Sequence, residues 1–287
     1  MEFVYSTVNP NVPVAYSRMD ALHTRCELLF PFMAEVQARH LSTQIWEVVK
    51  QAETRYNRFT RDSLLSEINR EASKAPVPID DEMFLVLELC RSFRTATCGY
   101  FDVSACSILR PEARDWILDP EARTVRFTDE GMSLDLGGFI KGFLLENAAR
   151  VVAAYTDCAL MSFGGSSTTA LGNHPLGEAW LVSISHCYFP GKEACTFQLK
   201  NKSMSVSGPD PQGKRHIINP LTGELIQKDT YIAVTGPSAI VSEVLSTALW
   251  AMPHTIRSEI LSRFDGYEAT EIACLPDGRR GRFQQGR

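Results

Sequence analysis

The order of helical and strand patterns along the chain most constrains the fold. Runs with strand character at 23–30, 158–163 and 231–235 are mixed with apolar residues at helical spacing, without a regular strand–helix–strand period. A doubly wound parallel sheet needs that period, so the pattern favours an α+β fold of mixed sheets with packed helices. The length of 287 residues suits one core, and we predict a single unit over residues 1–287.

Four segments have apolar residues at helical spacing, which predicts four helices. They are expected to run from about Ser42 to Tyr56, from Asp80 to Gly99, from Ile140 to Val152 and from Pro237 to Leu249. Ser42 is a candidate N-cap of the first. Acidic residues begin the second and a glycine follows it, as the helix dipole and the C-cap favour. Further strands, at 180–185, 194–199 and 204–207, are expected in an antiparallel sheet.

The charge and the hydropathy argue against two classes of partner. The net charge is −5 and the isoelectric point is about 5.7, whereas proteins that bind nucleic acid present a basic face to the phosphates. The basic cluster at 277–287 is interpreted as a mobile, solvated tail. No apolar run approaches the roughly 18 residues of a membrane span, and the first residues do not resemble a signal peptide. We therefore expect no nucleic-acid partner and no membrane.

The cysteines indicate the compartment. The chain has eight, none with C-x-x-C spacing, and several lie in apolar surroundings. In a chain of this length they are typical of buried thiols in a reducing environment, rather than of a disulfide frame or a zinc site. A cytoplasmic location is the expectation.

A glycine pair precedes the third predicted helix. Gly137 and Gly138 end an Asp-Leu-Gly-Gly run, and Lys141 lies in the first helical turn after them. Glycine lets the backbone approach a ligand, a helix N-terminus attracts phosphate, and a lysine adds a positive charge there. A tight turn followed by a surface lysine has the same pattern, so the spacing alone leaves both interpretations open.

A second glycine pair follows the strand at 158–163. Gly164 and Gly165 are followed by two serines and two threonines. Successive small residues can form an amide cradle for an anion. They are equally typical of a hairpin turn.

Two side chains with oxygen atoms lie one turn apart in the last helix. Glu243 and Thr247 have i,i+4 spacing, which places both on one side, where they can share a hard cation. A side-chain pair facing water has the same spacing. His216, between a strand and a turn, is a candidate acid or base, but a lone histidine is also often structural.

Taken in order, these segments resemble the ApbE family of FAD:protein FMN transferases. The sequence Asp135-Leu-Gly-Gly-Phe-Ile-Lys141-Gly142 is close to the family's D-L-G-G-I-A-K-G, the most specific match. Other segments match in chain order: 19–21 its M-G-T, 56–69 its F-S-x-Y-x-x-D-S-E-L-S-x-L-N, 99–102 its G-x-F-D, 164–165 part of its N-x-G-G-D, 215–223 its H-H-I-x-D-P-x-T-G, and 238–248 its S-A-x-x-A-D-A-L-A-T-A. The resemblance covers about 19–252.

The resemblance implies an ApbE-like, T-fold-like architecture with an FAD cleft between two lobes. It implies that FAD, the substrate, contacts residues from several segments: Met19, Phe59, Tyr100, Phe101, Asp102, Asp135, Lys141, Gly164, Gly165, His216 and Ile217. It also implies that Mg²⁺ is held by Glu243, Thr247 and the backbone near Gly138.

The implied reaction is Mg²⁺-dependent transfer of FMN from FAD to a Thr or Ser hydroxyl of an acceptor protein, with release of AMP. His216 is the expected catalytic residue, deprotonating or positioning that hydroxyl. The chain departs from the family pattern at several positions: Ser166 replaces an acid, Asn219 and Glu243 each replace an Asp, and Phe59 replaces a Tyr. Two alternatives therefore stay open, an FAD pyrophosphatase and an FAD-binding protein without catalysis.

Overall fold

The computed structural model describes residues 1–22, 24–107, 114–186, 189, 191–209, 217–274 and 280–285. Fourteen strands lie in this part of the chain: β1 (Glu2–Ser6), β2 (Val14–Ala21), β3 (Thr24–Pro31), β4 (Val77–Pro78), β5 (Trp116–Asp119), β6 (Thr124–Phe127), β7 (Ala159–Phe163), β8 (Ser167–Leu171), β9 (Trp180–Ser185), β10 (Glu193–Leu199), β11 (Lys202–Ser207), β12 (Thr230–Gly236), β13 (Glu268–Cys274) and β14 (Arg280–Gln285).

Nine of these strands form one sheet, in the order β1-β2-β3-β7-β8-β11-β12-β13-β14. Every neighbouring pair is antiparallel. A two-stranded sheet, β10-β9, and a three-stranded sheet, β4-β6-β5, accompany it. The predicted α+β class is confirmed, and the strand at 280–285 is formed by part of the predicted C-terminal tail.

The described residues also form six helices: α1 (Glu35–Tyr56), α2 (Leu64–Glu71), α3 (Asp81–Ala96), α4 (Ile140–Ala153), α5 (Ala239–Ala251) and α6 (His254–Leu261). The predicted second, third and fourth helices correspond to α3, α4 and α5. Asp80 caps α3 by accepting a hydrogen bond from the Met83 amide, and Ser238 caps α5 in the same way through Val241. None of the six is long and apolar enough to cross a membrane.

The first helix begins earlier than the sequence predicted. Ser42 is not its N-cap but a buried residue inside α1, which begins at Glu35. The residue before it, Ala34, makes no side-chain cap hydrogen bond. Burial of Ala38 and Leu41 extends the apolar face upstream, and this packing, rather than a cap, defines the start of the helix.

The central strands separate two packed faces. On β12, Ile232 and Val234 belong to the main core, whereas Tyr231 and Ala233 belong to a second cluster on the other side. Helices α4 and α5 cover the first side, α5 against β11 and β12 and α4 against β7 and β8. The β9–β10 hairpin contributes side chains such as Trp180 to the second. This alternation follows from the two-residue repeat of a strand.

Candidate active site

A cavity of about 620 Å³ lies where the first turn of α4, one side of α5, the β7–β8 turn and the segment after α3 meet. Its volume is within the range of small-molecule and cofactor sites. The residues around it include Tyr100, Phe101, Asp102, Cys106, Asp135, Gly137, Gly138, Lys141, Gly164, Gly165, Ser166, Ser185, Ser207, Ile217, Tyr231, Glu243 and Thr247.

Hydrogen bonds within the chain shape the segment after α3. Gly99 has a φ of +82°, which lets the chain leave the helix sharply. The side chain of Asp102 is buried, and one carboxylate oxygen accepts hydrogen bonds from both the amide and the hydroxyl of Ser104. The other oxygen lies 3.5 Å from Nε of Arg94. These contacts hold the segment rigid at the cavity wall.

The turn before α4 is organised by Asp135. Its Oδ1 accepts a hydrogen bond from the Gly137 amide at 2.9 Å, and its Oδ2 lies 3.3 Å from Nη1 of Arg58. The side chain of Asn69 fixes the preceding residue, Leu134, by donating to its carbonyl and accepting from its amide. The Asp-Leu-Gly-Gly run therefore forms a held turn at the cavity.

A glycine allows α4 and α5 to approach closely. A Cβ at Gly142 would lie 2.7 Å from the Ala239 carbonyl oxygen and 2.8 Å from Cβ of Glu243, a separation that real Cβ atoms do not adopt. Only glycine fits this contact. The close approach brings Lys141, the preceding residue, within reach of the α5 side chains.

The central feature of the site is a buried ion pair. Nζ of Lys141 lies 2.6 Å from Oε1 of Glu243. The other carboxylate oxygen accepts hydrogen bonds from the hydroxyls of Ser167 and Ser205. Nζ also lies 3.2 Å from Oγ of Ser166 and 3.3 Å from Oγ of Ser167. Strands β8 and β11 thus supply the hydroxyls that contact the carboxylate, the β7–β8 turn supplies Ser166, and α4 and α5 supply the charges.

This environment keeps Glu243 ionised. Burial by itself raises the pKa of its carboxyl group. The charge of Lys141 and the hydrogen bonds from Lys141, Ser167 and Ser205 outweigh that effect and bring the pKa below its ordinary value.

A row of hydroxyls continues from Glu243 along the contact between β11 and α5. The hydroxyl of Ser246 lies 3.1 Å from that of Ser205 and 2.9 Å from that of Ser207. The hydroxyl of Ser207 lies 3.3 Å from that of Thr247. The serines alternate with apolar residues along β11, so they all face α5.

The second glycine pair forms the β7–β8 turn. Gly164 and Gly165 have φ values of +75° and +65°, which favour glycine. The Gly164 amide donates to the Arg25 carbonyl, so its N–H is used within the protein. The turn places Ser166 at the cavity, and Ser166 and Ser167, the first residue of β8, both lie beside Lys141. The hairpin interpretation is therefore correct, and the turn also lines the candidate site.

The residues predicted to hold Mg²⁺ lie together. Glu243 and Thr247 are one turn apart on α5, and a Cβ built on Gly138 would lie 3.5 Å from Oγ1 of Thr247. A carboxylate, a hydroxyl and a backbone carbonyl are the hard oxygen ligands that Mg²⁺ prefers. No cluster of three or more His, Cys, Asp or Glu suited to a metal occurs in the described ranges. Among the three predicted ligands, Glu243 supplies the one carboxylate. These three oxygen donors fit Mg²⁺.

Most of the predicted site residues meet at this cavity. Tyr100, Phe101, Asp102, Asp135, Gly138, Lys141, Gly164, Gly165, Ile217, Glu243 and Thr247 all line it. Two others do not: Met19 is buried in the core on β2, and Phe59 is exposed, with the Arg58 guanidinium 5.0 Å from its ring. His216 lies outside the described residues. Contacts to FAD by these three residues, as by those that line the cavity, stay predictions.

Several residues that hold the cavity-lining side chains were not predicted from sequence. The hydroxyls of Ser167 and Ser205 hold the Glu243 carboxylate, and Arg58 pairs with Asp135. A buried strand with serine at every second position is the available signal for the hydroxyls, because such residues need a polar partner. Asn219, at another departure from the family pattern, accepts a hydrogen bond from the Leu221 amide within a turn.

Comparisons with known proteins agree on one family. The model of the ApbE family matches residues 22–270. A FAD:protein FMN transferase from Treponema pallidum (strain Nichols) is 25% identical over 82% of this chain and 77% of its own length. One from Chlamydia muridarum (strain MoPn / Nigg) is 24% identical over 76% of this chain and 77% of its own length.

Solved structures share the fold. The flavin transferase ApbE from Vibrio cholerae superimposes with a TM-score of 0.81 at 15% identity, covering 96% of this chain and 98% of that one. The ApbE protein from Thermotoga maritima superimposes with a TM-score of 0.77 at 18% identity, covering 98% and 97%.

Proposed function

This chain belongs to the ApbE family, and from that membership we propose that it is an FAD:protein FMN transferase. The proposal is supported most by one observation: a single cavity is lined by the two glycines and the lysine of the Gly-Gly-Phe-Ile-Lys segment, by the Gly164-Gly165 turn and by the Glu243–Thr247 pair. These are separate parts of the sequence, and the resemblance relates each of them to FAD or its metal. The cavity lies beside a helix N-terminus, which favours an anionic group such as a pyrophosphate.

In the proposed reaction, a Thr or Ser hydroxyl of an acceptor protein attacks the FMN-side phosphorus of FAD. A bond forms between the hydroxyl oxygen and this phosphorus, and the bond from phosphorus to the bridging oxygen breaks. AMP leaves with that oxygen, and the hydroxyl proton passes to a base. Negative charge increases on the phosphate oxygens and on the leaving AMP, so catalysis depends on positioning and on nearby positive charge.

The chain supplies that positive charge from α4. The ammonium of Lys141 lies in the first turn of this helix, and the helix dipole adds a partial positive charge at the same end. Mg²⁺ held by Glu243, Thr247 and the backbone of Gly138 would offset charge on the pyrophosphate. The wall formed by Tyr100, Phe101 and Asp102 is where we place the rest of FAD.

The proton acceptor is assigned to His216, for a chemical reason. Glu243 is a poor base, because its carboxylate already accepts three hydrogen bonds and its pKa is low. An unperturbed imidazole titrates near neutral pH, which suits a general base.

The test is incubation of the purified chain with FAD and MgCl₂ while AMP is measured, with and without Thr- and Ser-containing acceptor peptides. If the chain is a transferase, AMP release should depend on the acceptor peptide. The peptide should also carry covalently bound flavin, so that it stays fluorescent after denaturation. AMP release at the same rate without acceptor would instead indicate a pyrophosphatase. No AMP under any metal or acceptor would leave an FAD-binding protein and contradict the proposal.

The role of His216 has its own measurement. His216→Ala should leave the Kd for FAD nearly unchanged and lower turnover by about 10²-fold, the low end for a general acid–base group. A loss of FAD affinity with unchanged turnover of bound FAD would make His216 a binding residue only.

A further inference from the structure

The Glu243 carboxylate has little capacity left for a metal ion. An ionised carboxylate offers about four lone-pair positions. Oε2 accepts hydrogen bonds from Ser167 and Ser205, and Oε1 accepts one from Lys141 at 2.6 Å. A cation must therefore approach through Oε1, the atom that the ammonium already contacts.

Two cations on one carboxylate oxygen repel each other strongly at this depth. Glu243 is buried on α5, and fields inside a protein are screened less than at its surface. A divalent ion bound to Oε1 would lie within a few ångströms of Nζ of Lys141. Binding of the ion thus favours departure of the ammonium.

The ammonium of Lys141 has an alternative position beside Ser166. Its Nζ already lies 3.2 Å from Oγ of Ser166, at the cavity wall formed by the β7–β8 turn. Lys141 is partly exposed to the cavity, and its long side chain can move toward Ser166 without unfolding α4. A phosphate group bound in the cavity would supply the counter-charge in that position.

We propose that Lys141 is an exchangeable counter-ion: it neutralises Glu243 in the metal-free protein, and a divalent metal displaces it toward Ser166, where it contacts the pyrophosphate of FAD. This inference rests on the metal site of the proposed function and adds the coupling between metal and nucleotide. Because the displaced ammonium needs an anion, metal and FAD should each strengthen the binding of the other.

The test measures Mg²⁺ binding to the full chain, freed of metal and FAD, by isothermal titration calorimetry. Lys141→Met removes the competing ammonium and should tighten Mg²⁺ binding by about tenfold, the equivalent of one charge-assisted contact. Lys74→Met is the matched control, since it removes an equal charge from an exposed surface pair with Glu71. It should leave the Mg²⁺ Kd unchanged.

A second variant keeps both charges and so preserves the fold if Lys141→Met does not. Ser166→Asp introduces a carboxylate at the position whose hydroxyl oxygen lies 3.2 Å from the lysine ammonium, and it should draw that ammonium from Glu243. The new carboxylate can also bind Mg²⁺ directly, and a double-mutant cycle separates the two effects. If Asp at 166 acts through the lysine, its effect on the Mg²⁺ Kd disappears in the Lys141→Met background.

Tighter Mg²⁺ binding in Lys141→Met, and a Ser166→Asp effect that requires Lys141, would support the exchange. If Lys141→Met does not fold, two results with Ser166→Asp would support the exchange. Mg²⁺ should bind more tightly than in wild type, and Mg²⁺ should change the Kd for FAD less than in wild type. Equal or weaker Mg²⁺ binding in the folded variants would overturn the exchange and leave the proposed function intact. Absence of Mg²⁺ binding in wild type, with or without FAD, would overturn both the exchange and the metal site.

Discussion

Two ion pairs border the same cavity, and they differ in depth. Lys141 and Glu243 are 22% and 3% exposed and 2.6 Å apart, whereas Arg58 and Asp135 are 27% and 42% exposed and 3.3 Å apart. Each pair joins a basic side chain to a carboxylate that the sequence had placed in the FAD or metal site.

The difference shows what burial adds to the same chemistry. The side chain of Glu243 is almost fully buried, so its charge must be compensated within the protein. Asp135 is solvated, and water compensates much of its charge. The buried pair should therefore affect folding, metal binding and nucleotide binding together, and the exposed pair should affect them weakly.

The largest expected effect comes from removing the buried carboxylate. Glu243→Gln leaves Lys141 without its counter-charge and should lower the free energy of unfolding by about 3 kcal/mol. Glu268→Gln, which breaks a surface pair with Lys202, is the matched control and should cost less than about 1 kcal/mol. Urea denaturation measures both. Equal costs would show that burial does not distinguish the pairs.

The same variant has a pH signature. The pKa of Glu243 is lowered in the folded protein, so its stabilising contribution is complete above the ordinary glutamate pKa of about 4.3 and is lost as the pH falls through the lower folded value. The stability difference between wild type and Glu243→Gln should be constant from pH 7 to about pH 5 and should shrink below that. A difference that grows on acidification would contradict the assignment.

The hydroxyls around Glu243 should give the next largest effect. Ser205→Ala removes a hydrogen bond to an ionised group and should cost about 2 kcal/mol. Ser203→Ala on the same strand removes a bond between neutral groups, to Thr169, and should cost about 1 kcal/mol. Denaturant midpoints compare the two buried serines. A larger cost at 203 would indicate that the row of hydroxyls, rather than the carboxylate, sets the stability.

The depth of the two pairs was not predictable from sequence, although Lys141, Glu243 and Asp135 were predicted as site residues. The Asp-Leu-Gly-Gly run and Lys141 were recognisable because glycines followed by a lysine at a helix N-terminus are typical of a phosphate site. Gly142 follows them, as the close contact between α4 and α5 requires. That Lys141 meets Glu243 depends on the packing of α4 against α5, which joins residues about a hundred positions apart. Local periodicity carries no information on such a contact.

The start of α1 illustrates the same limit. Capping chemistry predicted Ser42, whereas burial of Ala38 and Leu41 extends the helix to Glu35. Side-chain capping hydrogen bonds do form at Asp80 and Ser238, although neither residue was predicted as a cap. At α1, where no such hydrogen bond forms, tertiary packing determines where the helix begins.

Nucleotide binding should also distinguish the two basic residues. Lys141→Ala should raise the Kd for FAD in the presence of Mg²⁺ by about tenfold, through loss of one charge-assisted contact to the pyrophosphate. Arg58→Ala should raise it about twofold or less, since an exposed charge contributes little. Flavin fluorescence titration gives both constants. A greater loss at Arg58 would place the phosphates near Asp135 and remove Lys141 from the site.

The smallest expected effect on stability is at Asp135, and its size depends on which of the two carboxylate contacts is removed. Asp135→Asn keeps an acceptor for the Gly137 amide and loses the contact with Arg58, so the cost in unfolding free energy should be about 0.5 kcal/mol or less. Asp135→Ala removes both and should cost about 1 kcal/mol more, because the turn loses its hydrogen bond. If Asp135→Asn alone costs as much as Glu243→Gln, the exposed pair is as important to folding as the buried one. In that case exposure to water would not explain the difference in stability between the two ion pairs, and the comparison between them would be wrong.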